Sequence, residues 1–457
     1  MIRTKLAPGS GMDELQQRMS ACMMGTAASS APASVAHEAV ACIEMDLFRQ
    51  GWPVGQSLGA LPDVQKQLGL GRPTSREAIT ILEARGMLDI RRGPGGGLFV
   101  AAPSLDDVAG SILMYLALAG ETYACIEEFR LLTWRMIVKT AIYQHTSLLP
   151  RNAPAGEWGL AADLAERAGN RTMGLLARLA ELLMRIAHGE KAPDRDPVLE
   201  AAIRDGDCAK AFERLDTLLP SGKMRAPIVA FDVVERGFSL AGRKSAMALA
   251  ARMARELSGP GSTQEAEWET AQRLGYTENV VRQARRILQD FGVLRCRQGR
   301  KGAEFAPPTA PTGIIRLLAP SLVASASLAV DIREAIFFLV GSATIVAADR
   351  VGAEDRPSVR TMASSSNLDP LEALTLENRL MELSGNPLLA IVVRSLGLAN
   401  TFIAKDALIP PHLCEIMALN RRILRAIEQG DAAVARSLAQ AKFDLMQQPA
   451  DYYQDVA

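Results

Sequence analysis

Arg72, Thr74, Ser75 and Arg76 open an apolar-periodic stretch, and Arg91 and Arg92 stand just before a run of glycines that includes Gly96. Guanidiniums and hydroxyls at this density suit phosphate oxygens and the acceptor edges of bases, guanine O6 and N7 above all. No bond-making constellation accompanies them: there is no P-loop and no HExxH. Gly55-Gln56-Ser57-Leu58-Gly59 fits GxSxG, but Trp52-Pro53-Val54 is too short and Pro-broken to be the strand that a nucleophilic serine needs before it. No catalytic residue, cofactor or enzymatic activity is expected.

The elements around these residues are legible. Pro73 suits the first turn of a helix, where its missing N–H costs nothing. Ala78, Ile81 and Leu82 recur at helical spacing, and Arg85-Gly86 ends the stretch with a residue suited to a left-handed cap. Met87 to Arg91 reads as a strand, Gly93 to Gly97 as a turn, and Leu98-Phe99-Val100 as the returning strand. A helix followed by a glycine-tipped hairpin is the outline of a winged helix, whose helix N-terminus enters the major groove of DNA. His37 to Gln50 supplies a preceding helix, with Ala39, Val40, Ile43 and Leu47 on its apolar face, and a second helix is expected between Gly55 and Gly69.

Leu68-Gly69, Arg72, Arg76-Glu77-Ala78, Leu82-Glu83, Gly86 and Leu88 fall in register with the recognition segment LGVSR-x-x-VREAL-x-x-LE-x-x-G-L. The stretch thus resembles the GntR family of bacterial transcription regulators. The resemblance implies a winged helix-turn-helix followed by an all-α helical domain. It also implies double-stranded DNA as partner, possible control by a small effector, and a dimer with two reading heads. Pro62 departs from the family, which has a phosphate-contacting arginine there. Ala168-Gly169-Asn170 and Ile203-Arg204-Asp205-Gly206-Asp207 are similar to signposts of the FadR-like helical domain.

Formal net charge is zero over 457 residues, which does not count against DNA, since only local charge matters. From Gly69 to Val100 five arginines oppose three acids. Hydrophobic content of 48% with few aromatics favours helical cores. The six cysteines form no CxxC and fit a reducing, cytoplasmic compartment. No apolar run reaches transmembrane length, so no membrane partner is expected. Residues 1–36 read as a disordered arm. Ser104 to Asp107 reads as a capping box, with helical patterns at 123–144, 159–187 and 196–219 behind it. Ser221 to Arg243 reads as a linker or crossover with a short β-like run from Ile228 to Val234.

Shifted by 206 residues, the chain meets itself: Arg76 falls on Arg282, Ala78 on Ala284, Gly86 on Gly292, Arg91 on Arg297, Gly96 on Gly302 and Phe99 on Phe305. This is the signature of an internal duplication. Ala248 to Leu257 and Glu265 to Leu274 become the first two helices of a second head. There Arg282, Arg285 and Arg286 lie on the reading helix and Arg297, Arg300 and Lys301 on the wing. Seven basic residues oppose three acids from Gly275 to Ala306, although Glu278 stands where the first copy has Arg72.

Helical domains of the GntR type often hold a divalent ion through histidines. The resemblance transfers those positions to Ala161, Asp196 and Leu218 in the first copy and to Glu377, Asn420 and Lys442 in the second. None is histidine, so no metal is expected. Arg130 and Arg333, at the family's early-helix arginine position, are the candidates to hold a carboxylate effector. The expected architecture is mainly α, in five segments: the arm at 1–36, winged heads at 37–102 and 239–307, and helical domains at 103–238 and 308–457. One chain would then act as an intrachain pseudo-dimer, or two chains as a homodimer.

Overall fold

The computed structural model describes residues 11–24, 35–69, 71–145, 156–193, 195–219, 227–240, 245–257, 265–291, 294–296, 303–305, 311–350, 370–404 and 412–447. Over these the protein is mainly helical, and no described helix is long and apolar enough to cross a membrane.

The first head begins with α2 (Val35–Arg49), after an earlier helix α1 (Gly11–Met24). It continues through β1 (Ser57–Gly59), α3 (Leu61–Leu68) and α4 (Arg72–Ala84) into the hairpin β2 (Leu88–Arg91) and β3 (Gly97–Val100). Ala78, Ile79, Ile81 and Leu82 form the buried stripe of α4. Gly86 follows its end at φ +73°, a conformation a β-carbon would strain. The hairpin register pairs Leu88 with Val100 and Arg91 with Gly97, and β1 adds a third antiparallel strand against β3. The helix expected between Gly55 and Gly69 is present as α3, with Pro62 in its first turn; the short strand Ser57–Gly59 ahead of it was not expected.

The first bundle comprises α5 (Leu105–Ala119), α6 (Ala124–Tyr143), α7 (Gly159–Arg167), α8 (Arg171–His188), α9 (Pro197–Arg204) and α10 (Cys208–Leu218). The Ser104–Asp107 capping box is present in both directions, at 3.2 and 3.1 Å. The helical patterns at 159–187 and 196–219 each divide in two. Gly169 and Gly206 take positive φ, and Asn170 and Asp207 then cap the next helix by accepting from Met173 N and Lys210 N.

Two further expectations are corrected. The stretch assigned to a linker contains α11 (Phe231–Leu240), so the boundary expected between 238 and 239 falls inside a helix. Only Ile228 of the β-like run pairs, in an isolated bridge with Thr122. Nor is the arm at 1–36 disordered over 11–24: α1 packs on the second bundle. Gln16 donates to Thr401 O at 2.6 Å, and Arg394 donates to Met23 O at 2.8 Å. α1 has only a weak apolar stripe and is fixed by the surface it covers, whereas α11 is amphipathic and its pattern was masked by the Pro and Gly around it.

The second half runs α12 (Ser245–Leu257), α13 (Glu267–Leu274), α14 (Glu278–Asp290), β4 (Leu294–Cys296) and β5 (Ala303–Phe305). The second bundle follows as α15 (Thr312–Ala324), α16 (Ala329–Arg350), α17 (Pro370–Leu383), α18 (Pro387–Ile403), α19 (Leu413–Gln429) and α20 (Ala432–Met446). α3 and α13, like α4 and α14, begin 206 residues apart and have the same lengths.

The halves are interleaved. α1 and α2 lie against the second bundle, where Phe48 stacks on Phe402 at 4.8 Å. α11 and α12 lie against α5 of the first bundle. Between the bundles, Asn170 donates to Glu334 at 3.1 Å and Asn386 donates to Glu128 at 2.8 Å. Both asparagines cap a long helix, and the two glutamates stand 206 residues apart, so the contact is reciprocal, as across a two-fold axis.

The seat of the first head is charged. Buried Glu44 of α2 meets Arg85 at 2.5 Å and Arg316 of α15 at 2.6 Å. The positions 206 residues away are Ala250, Phe291 and Gly110. Glu44→Ala strands two guanidiniums and should cost about 3–5 kcal/mol by urea denaturation. The triple variant Glu44→Ala, Arg85→Phe, Arg316→Gly, which imports the apolar set, should recover most of that loss. Equal destabilisation by both would show that the charges themselves are required.

Candidate nucleic-acid interface

The N-terminal end of α4 faces solvent. Arg72 and, one turn later, Arg76 are exposed and have no side-chain partner among the described residues. Thr74 is half-buried beside them. Ser75 is not available as a surface donor: it is fully buried and its hydroxyl donates to Gly71 O at 3.2 Å, tightening the first turn. That corrects its expected place among the DNA contacts.

The hairpin brings more positive charge to the same head. Arg92 is exposed without a partner among the described residues. Arg91 is exposed but partly held, 3.2 Å from Asp89 and 4.1 Å over the Phe99 ring. Gly96 is required by the turn itself. A β-carbon there would collide with the carbonyl oxygens of Arg91 and Gly93, and Gly96 N already donates to Gly93 O at 2.9 Å.

The second head differs in its electrostatics. Arg282 pairs with Glu267 at 3.0 Å. Arg285 donates to the Glu265 carbonyl and lies 4.0 Å from the Glu267 carboxylate. Arg286 reaches across to Glu77 of α4 at 3.1 Å, so α4 and α14 pack on each other. The positive balance counted from Gly275 to Ala306 is therefore offset on α14 by acids of α13 and α4, which lie outside that window. Arg297, Arg300 and Lys301 lie outside the described residues. Glu77, Glu265 and Glu267 were missed by sequence reasoning because their partners are not at helical spacing within one element; only the alternation of acids at 265, 267 and 269 hinted at them.

The effector expectation is corrected for Arg130. Its guanidinium is buried and bidentate to Glu181 at 2.9 and 2.8 Å, with its remaining nitrogen 3.2 Å from Glu190, and Trp134 Nε1 donates to the same Glu181. This is an internal ion pair that engages all three guanidinium nitrogens. Arg333 is half-buried and has no partner among the described residues. The 206-residue register places Arg130 opposite Ile336, so the two arginines are not equivalent.

The positions examined for metal behave differently in the two bundles. Ala161 is buried and apolar, while Asp196 caps α9 and pairs with Arg214 at 2.6 Å, which holds its carboxyl below the usual range. Glu377, Asn420 and Lys442 converge. Lys442 Nζ is 2.6 Å from Glu377 and 3.1 Å from Thr344 Oγ1, and Asn420 donates to the other Glu377 oxygen at 2.8 Å. Burial pushes the lysine down and Glu377 opposes that. A resident ammonium where a divalent ion would sit does not fit metal binding, and no group of three or more His, Cys, Asp or Glu suited to a metal occurs among the described residues.

No described protein family and no curated protein matches the chain. A solved structure titled Streptococcus agalactiae GntR is similar over 45% of this chain and 98% of that one, at 17% identity and a TM-score of 0.29. A likeness of that strength carries no argument, and the functional reading rests on the residues.

The metal expectation is directly measurable. The purified protein should carry no stoichiometric zinc, manganese or nickel by elemental analysis, and a chelator should leave its melting temperature unchanged, since a bound ion would stabilise the fold by mass action. One tightly held equivalent per bundle would overturn the assignment of Lys442 as the resident cation.

Proposed function

We propose that the protein is a DNA-binding transcriptional regulator of GntR type, without a reaction of its own. It is built from two duplicated winged helix-turn-helix heads and two FadR-like helical bundles. The observation that carries this reading is the exposure of Arg72 and Arg76 at the N-terminal end of α4, with Arg92 on the adjoining hairpin and no acid paired to any of the three among the described residues. Arg72 and Arg76 are the base-reading candidates, with Thr74 beside them, and Arg91 and Arg92 serve backbone phosphates.

The reciprocal contacts Asn170–Glu334 and Asn386–Glu128 support a single chain that folds as its own dimer. Its two heads are unequal, because the arginines of α14 are answered by Glu267 and Glu77. The first head then supplies sequence recognition, and the second lies beside it at the Glu77–Arg286 contact. If a small carboxylate controls the protein, Arg333 is the arginine open to it. The second reading, an interaction protein on the same fold, draws its support from the neutralised second head alone.

Fragments selected from genomic DNA should yield a specific site. On that site Arg72→Ala or Arg76→Ala should each weaken binding by about 1–3 kcal/mol. Arg282→Ala should leave affinity within a factor of about two, the scale of an exposed ion pair. Unchanged binding in both first-head variants, with the fold intact, would remove α4 as the reading helix.

A further inference from the structure

The second head carries one large aromatic that the DNA reading does not use. Trp268 of α13 is 56% exposed, whereas Trp52 and Trp134 are buried and Trp158 lies under Arg185 at 4.6 Å. It lines a shallow surface groove with Glu265, Glu269, Gln272 and Arg273. In the 206-residue register its counterpart in the first head is Pro62, so the two heads differ in shape as well as charge at this place.

Among the described residues, the charge around the indole is negative where it is not cancelled. Arg273 is claimed by two carboxylates, Glu256 at 2.9 Å and Glu265 at 3.0 Å. Those hydrogen bonds hold its guanidinium firmly protonated. Arg282 and Arg285 are engaged by Glu267 and the Glu265 backbone. Glu269 caps its own helix by accepting from Ala266 N at 2.8 Å and has no cationic partner among the described residues; exposed Glu278, at the start of α14, has none either. Exposed ion pairs of this kind are individually weak, but they remove the field that would draw a polyanion to this face. An indole face flanked by carboxylates instead suits a guanidinium or ammonium, which gains from the ring quadrupole and from the charge together.

We propose that the Trp268 groove is a docking site for a cationic segment of a partner protein, with an arginine or lysine side chain over the indole and Glu269 as its counter-charge. The second head is then a protein-binding head on a DNA-binding chain. This stands on observations independent of the DNA reading: Arg72 and Arg76 play no part in it.

The test uses the full chain and a synthetic ten-residue peptide of alternating arginine and glycine, with a citrulline version as the neutral isostere. Tryptophan emission is followed, and the same titration on Trp268→Phe removes the contribution of the other three indoles. The arginine peptide should produce a saturable change that is absent with the citrulline peptide and absent in Trp268→Phe. Binding measured independently by calorimetry should weaken about three- to thirtyfold in Trp268→Ala, the range a cation–π contact supplies. Glu269→Gln keeps an acceptor for the helix cap while removing the charge, and it should also weaken binding without lowering the melting temperature. Loss of the effect in neither variant would overturn the proposal, as would no saturable binding of the arginine peptide. So would a double-stranded oligonucleotide that perturbs Trp268 emission and binds more tightly to Glu269→Gln, which would place this face on DNA.

Discussion

A carboxylate removed from water must be met by positive charge, and Glu44 is met by two guanidiniums from distant parts of the chain. Arg85 caps the end of α4 and Arg316 belongs to the second bundle. The triad fixes how the first head sits on a bundle that is not the one following it in sequence. Such a triad rarely adds stability over a well-packed apolar replacement, and its best-attested benefit is a unique register. The positions 206 residues away, Ala250, Phe291 and Gly110, carry no charge. The unequal behaviour of the two heads thus begins beneath them, in how each is mounted.

From that mounting the rest follows. Each half places its leading helix on the other half's bundle, and the paired Asn–Glu contacts close the arrangement at the centre. α4 and α14 are brought together, with Glu77 answering Arg286. Once they abut, a carboxylate of the first head helps to neutralise the second. Exposed arginine then remains on α4 and the first hairpin, while α13 turns an aromatic and acidic face outward.

Much of this was legible in the sequence, and the reasons differ by element. The helix from Arg72 to Ala84 announced itself through Pro73 at its start, the spacing of Ala78, Ile81 and Leu82, and Gly86 after its end; all three signals are local. The 206-residue register pointed to α13, expected from Glu265 and found from Glu267 to Leu274, and to the reading-helix position now occupied by α14. What escaped was non-local. Ser75 has the composition of a surface donor, but the first turn buries it. Arg130 has the type of an effector contact, but Glu181 lies 51 positions away in sequence, and no spacing rule links them. Residues 11–24 and 231–240 looked like arm and linker because their order depends on surfaces distant in sequence, the second bundle for the first and α5, α8 and α12 for the second. A charge count over a window could not include Glu267 and Glu77, which lie outside it.

The central claim is that one chain presents two unequal heads, of which the first alone specifies sequence. Hydroxyl-radical footprinting on a selected duplex, with the mass of the same complex measured in solution, tests it most directly. The account predicts one chain per site, with strong base-dependent protection on one side only and no matching protected half-site on the other. A perfect palindrome protected evenly by two chains would contradict it.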